Sequence, residues 1–171
     1  MIELKVLYPG KLLDVSGVPR EICAEMRRQG SIYKRYYERT VRTWKTKPGF
    51  TVKVSQQTGD YVLEIRYDPR TIGGQHYQWV DWGTEAHTIT AKRVPMLKFQ
   101  SGFTSKTRRH VLGSRKGGRS GPWVSKKSVR HPGTEAREFT CEIANRRRNE
   151  FNKQIARAVR AGIKWHGEMY G

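Results

Sequence analysis

Between Pro19 and Lys45 the apolar positions Ile22, Met26, Tyr33, Tyr37, Val41 and Trp44 recur at spacings of three, four and seven, which stack on one face of a 3.6-residue helix. The pattern predicts a helix over 19–45, opened by Pro19, weakened at Gly30 and ended by Lys47-Pro48-Gly49. Ahead of it, Ile2, Leu4 and Val6 alternate with Glu3 and Lys5, the period of a short half-buried strand. FTVKV places Phe50, Val52 and Val54 on one face, and YVLEIRY does the same with Tyr61, Leu63, Ile65 and Tyr67. Gln57-Thr58-Gly59-Asp60 between them supplies turn chemistry, so the pair reads as a hairpin. DPRTIGG reads as a loop, and YQWVDWGT and the segment around MLKF as further strands. The last pattern, Phe139, Ile143, Phe151, Ile155, Val159 and Ile163, is helical. It leaves Arg146-Arg147-Arg148 on an exposed side and puts Arg157, Arg160 and Lys164 near the end where cations suit the helix dipole.

The expected fold is α+β: an antiparallel sheet packed against a long N-terminal helix and a C-terminal helix, with a long basic loop. At 171 residues the chain fits one domain with one core. Composition sharpens the picture in one respect, a formal charge of +19, which attracts polyanions and makes nucleic acid the first partner to consider. The charge is unevenly spread. Thr104 to Arg130 holds nine Lys or Arg and no Asp or Glu, and Gly102 to Gly121 is rich in Gly, Ser, Lys and Arg with few apolar residues. A flexible basic loop at about 102–121 is expected there, ordered on meeting a partner. Lys106, Arg108, Arg109, Arg115, Lys116, Arg119, Lys126 and Lys127 are its candidate contacts to DNA or to a partner protein. No stretch approaches the roughly 18 apolar residues of a spanning helix, and MIELKVLYPG lacks a signal-peptide pattern, so no membrane role is expected and the chain should stay in the cytosol. Cys23 and Cys141 stand far apart without a CxxC partner and read as small core residues.

Enzyme chemistry finds little support in the motifs. His76, His87, His110, His131 and His166 are scattered, without HExxH or a Cys pair, so neither a metal nor another cofactor is expected. GSRKGGRSG lacks the spacing and the preceding strand of a phosphate loop. Asp60, Glu64, Asp68 and Asp81 have no spacing that demands a metal and read as partners of the many arginines. A small nuclease with His131 or His110 as general base is the remaining catalytic reading. His131 has a simpler account in VRHPGTEAREF: Pro132-Gly133 turns the chain, Thr134 caps the next helix, and Glu135 and Glu138 put negative charge at its positive end.

Two segments carry a resemblance. Trp79-Val80-Asp81-Trp82-Gly83-Thr84-Glu85-Ala86-His87-Thr88-Ile89, with Lys92, Met96-Leu97-Lys98-Phe99 and Gly102 after it, and then Val129-Arg130-His131-Pro132-Gly133-Thr134-Glu135-Ala136-Arg137-Glu138-Phe139, resemble the paired signature of tailed-bacteriophage neck or tail-completion proteins, over about Gln78 to Ala144. The resemblance implies a non-enzymatic virion protein that assembles as a homo-oligomeric ring at the head-tail junction, having been made in the host cytoplasm. Its implied partners are other neck, connector and tail proteins, with the genome DNA in the channel as a further contact. Gly83, Thr84, His87, His131, Pro132, Gly133 and Thr134 then have structural work at turns. A different class also fits the charge: a sequence-nonspecific nucleic-acid-binding protein using the basic loop, Arg146 to Arg148, and exposed aromatics such as Trp123 or Tyr36. Against it, Tyr33, Tyr37, Trp44, Tyr61 and Tyr67 fall at core spacings.

Overall fold

The structure, a computed structural model, describes residues 13–57 and 60–165. It is α+β, with a long helix at each end of the chain, a third helix between them and small antiparallel sheets. The expected strand at Ile2–Val6 lies outside the described residues.

Helix α1 (Val18–Thr40) opens with Pro19 in its first turn, where the missing N–H costs nothing. It stops five residues short of the expected end. The Thr40 hydroxyl donates back to the Tyr36 carbonyl at 2.9 Å, and residues 41–44 continue as turns closed by Trp44 N–H to Val41 C=O at 2.9 Å. Gly30 is not a weak point. It is buried against the hairpin of β2 (Phe50–Gln57) and β3 (Asp60–Tyr67), where a Cβ would run into Val52 and come within 2.9 Å of Leu63. The expected hairpin is present, with Phe50 opposite Tyr67 and Val52 opposite Ile65.

The next segment differs from its sequence reading. YQWVDW is not a strand but the body of helix α2 (Ile72–Trp82), which Thr71 caps by accepting the Gly74 N–H at 3.1 Å. Its buried residues Tyr77 and Asp81 are four apart, the helical spacing, while Trp79 and Trp82 face out. Helix α3 (Phe139–Gly162) then packs along α1, with Tyr33 and Phe151 edge to face at 6.2 Å. A two-residue pairing of β1 (Leu13–Asp14) with β10 (Lys164–Trp165) joins the two ends of the described chain.

The core is aromatic. Tyr77, fully buried, is surrounded by Tyr37, Trp44, Phe50, Tyr67 and Phe139 at ring separations of 5.1–6.4 Å, with Val41 and Ile143 completing the cluster. Such tilted and edge-to-face pairs add to the stabilisation from area burial. Burial pushes the Tyr77 phenol far above its ordinary range, and the Asp81 charge pushes the same way.

In place of one continuous sheet, the described residues form five two-stranded antiparallel pairs. Three of them run in succession along a single ribbon. β4 (His87–Thr90) pairs with β9 (Ser128–His131), β5 (Leu97–Gln100) with β8 (Trp123–Lys126), and β6 (Phe103–Thr104) with β7 (Gly118–Arg119). Between the first two pairs, residues 91–96 of the outgoing arm stand opposite Lys127 alone. Arg137, past the base of the ribbon, bonds the Val80 carbonyl of α2 through its backbone N–H at 3.0 Å and the Ser105 hydroxyl just after β6 through its guanidinium at 3.4 Å.

Candidate functional site

The two resembling segments, some fifty residues apart in sequence, lie side by side. Thr84 and Thr134 exchange both backbone hydrogen bonds, at 2.9 and 3.0 Å, and the ladder continues through His87 opposite His131 to Ile89 opposite Val129. Each threonine belongs to a Gly-Thr-Glu-Ala tetrapeptide, at 83–86 and at 133–136. The copies contact each other reciprocally. Gly83 (φ 82°) lies where a Cβ would be 2.8 Å from the Thr134 carbonyl oxygen, and Gly133 (φ 87°) lies where one would collide with that of Thr84. Positive φ and close backbone approach together explain why both positions are glycine.

Thr134 is not the N-cap of α3, because it is committed to this bridge. The helix begins at Phe139, five residues later, and Glu138 sits before it in the left-handed region at φ 54° with no side-chain cap of its own. The N–H groups of Arg137 and Glu138 go instead to the carbonyls of Val80 and Asp81 at 3.0 and 2.9 Å, satisfying the C-terminal end of α2. In return, the buried Asp81 carboxylate accepts the Thr140 N–H at 3.2 Å and the Thr140 hydroxyl at 2.7 Å. The cap of α3 thus comes from another helix, and Asp81 has a structural task rather than an arginine partner or a metal. Glu135 pairs with Arg137, and Glu138 receives a two-pronged contact from Arg109 with both oxygens 3.0 Å from one nitrogen.

The histidines join the same construction. His131 Nδ1 accepts the Gly133 N–H at 3.1 Å, and His87 Nδ1 donates to the Glu85 carbonyl at 2.9 Å. The two rings lie 5.0 Å apart across the ladder, tilted by 31°. Each imidazole therefore spends one nitrogen on holding its own turn, and Pro132 stands exposed at the second of these turns. His110 is elsewhere, 3.5 Å from Glu142. Among the described residues no three His, Cys, Asp or Glu side chains gather as a metal site, and no helix is long and apolar enough to cross a membrane.

The basic segment is more built than its composition suggests. Residues 102–121 carry β6, β7 and a turn whose Thr107 is buried and whose Leu112 packs on the core. Thr43, just past α1, holds it in place: its N–H goes to the Ser114 hydroxyl at 3.1 Å, its hydroxyl donates to the Arg115 carbonyl at 3.0 Å, and its carbonyl accepts Lys106 Nζ at 3.0 Å. The candidate contact residues separate into three groups. Arg109 is occupied by Glu138, and Lys106, Arg108 and Arg115 line a cavity against the end of α1. Lys116, Arg119, Lys126 and Lys127 are exposed along the returning arm, with Arg119 stacked over Phe99 at 6.0 Å. The triple arginine is likewise divided. Arg146 and Arg148 are exposed as expected, Arg146 pairing with Glu142 at 2.5 Å, whereas Arg147 turns inward to Gln29 at 3.1 Å and over Tyr36. Cys141 is exposed and Cys23 half-buried, not the two core residues expected.

The ribbon also carries unusually bare apolar groups. Trp123 is 74% exposed and Phe103 72%, and Ile89, Val94 and Met96 are exposed with them. Compared with known proteins, the chain matches no family model, no curated protein and no solved structure.

Proposed function

We propose that this protein is a structural component of the head-tail junction of a long-tailed phage, of the neck or tail-completion type, which assembles as a ring of copies and joins the DNA-filled head to the tail. One observation carries the reading. The two segments that hold the resemblance dock on each other as a single unit, glycine to carbonyl and threonine to threonine, and so supply one rigid corner from which the ribbon projects. His87 and His131 each use one ring nitrogen to hold a turn of this corner. No catalytic group is assigned on this reading, and the exposed ribbon serves neighbouring copies or neighbouring neck, connector and tail proteins. The test is a null allele in the encoding phage. Filled heads and finished tails should accumulate unjoined, and joining should return with the intact chain supplied in trans but not with Gly133→Val. Normal joined particles from the null would contradict the proposal.

A second reading, a sequence-nonspecific nucleic-acid-binding module, draws on Trp123 and Phe103, bare aromatic faces beside Arg119, Lys126 and Lys127. Stacking on such rings contributes about 1–3 kcal/mol per base. Its signature is single-strand binding that falls when Trp123 is replaced by Ala, in a protein absent from finished particles.

A further inference from the structure

The cavity between the end of α1 and the tip of the basic segment has a volume of about 310 Å³ and is walled by five cations, Arg39, Arg42, Lys106, Arg108 and Arg115, with no carboxylate. The wall therefore gathers five positive charges with no balancing negative one. Elsewhere Arg20, Arg28, Arg66, Arg109, Arg137 and Arg146 each meet a glutamate, whereas among the described residues none of these five makes an ion pair. Like charges around one cavity repel, at a cost set by their separation and by the local dielectric. The fold nevertheless holds them there by groups that carry no charge. The three hydrogen bonds of Thr43 fix the wall, Arg115 Nε donates to the Ser105 carbonyl at 3.0 Å, and the 108–111 turn closes through Val111 N–H to Arg108 C=O at 3.4 Å. Within that turn His110 takes φ 59°, a left-handed conformation that a side-chain-bearing residue seldom adopts.

We propose that this cavity is a binding site for a phosphate group. Guanidinium forks match tetrahedral phosphate oxygens in pairs, and Lys106, which already satisfies the Thr43 carbonyl, keeps two ammonium hydrogens for a ligand. A phosphate supplies what the wall lacks, negative charge with several acceptor oxygens. Arg39, in the last turn of α1, and Arg42, in the turn just past it, were not among the residues the basic stretch pointed to. The group can come from a nucleic-acid backbone or from a free phosphate ion. The site does not depend on the head-tail reading, since it is a property of the isolated chain.

The test compares the purified full-length protein with Arg42→Gln/Arg108→Gln and with a charge-matched control, Arg27→Gln/Arg157→Gln, after confirming equal melting temperatures. Inorganic phosphate is titrated while side-chain Nε–H resonances are followed by NMR, and a fluorescent DNA duplex is titrated at several salt concentrations. Saturable shifts at Arg39 and Arg115, lost in the cavity variant and kept in the control, are the expected result. If the group belongs to nucleic acid, the slope of log affinity against log salt also falls by about two in the cavity variant and by less in the control. Saturable phosphate binding with equal DNA loss in both variants assigns the site to a free phosphate. Shifts that never saturate, with DNA affinity falling equally in both variants, overturn the proposal.

Discussion

The tyrosine core and the ribbon use the same residue types in opposite ways. Around Tyr77 every ring meets other rings, and the buried carboxylate of Asp81 has its hydrogen bonds from Thr140. Along the ribbon, Trp123, Phe103, Lys126 and Lys127 stand in solvent. Burial with partners is what a fold requires, and nothing in the folding of this chain requires the ribbon's side chains to be bare. The difference separates residues that make the shape from residues that the shape presents.

The largest effect should come from Tyr77→Ala, which empties the centre of the aromatic cluster and should destabilise the protein by roughly 3–5 kcal/mol in chemical denaturation. A cost under 1 kcal/mol would mean that the cluster is not the core. Asp81→Ala should follow at about 2–3 kcal/mol, because it removes the cap of α3 and a charge-assisted hydrogen bond together. Asp81→Asn, which keeps an acceptor, should cost less, and equal losses would refute the capping role.

Alkali offers a finer probe. Tyr77, Tyr37 and Tyr67 are raised by burial, so their contribution is intact below the unfolded phenol range near about 10 and is lost as pH climbs through the folded values. Stability should therefore fall above about pH 10, and Tyr77→Phe should make the fall shallower; an unchanged alkaline limb would assign it to other groups. The smallest effect on stability belongs to the ribbon. Phe103→Ser with Trp123→Ser should stay within about 0.5 kcal/mol of the parent while abolishing joining in the complementation assay. Substantial unfolding would show that the two aromatics serve the fold after all.

Legibility in the sequence followed the same division. The hairpin, α1 and α3 were readable because strict periods of two and of 3.6 leave little choice of face. α2 was hidden by Gly73-Gly74, which reads as loop but lies buried beside the backbone at Lys47 and Asp68, and by aromatic spacing that fits a strand equally well. The cap on α3 was illegible because Asp81 is nearly sixty residues from Thr140, and local rules choose Thr134. The basic segment misled through composition, since its order comes from hydroxyls and backbone groups meeting Thr43 rather than from apolar residues. One signal was available and would have helped: the repeated Gly-Thr-Glu-Ala marks the two strands that pair.

The most direct test of the central proposal is cryo-electron microscopy of purified particles from the phage that encodes this chain. The account predicts a ring of copies at the head-tail junction, with each β4–β9 corner buried in the wall and each ribbon reaching a neighbour. Finished, infectious particles without density for this chain at that junction would contradict it.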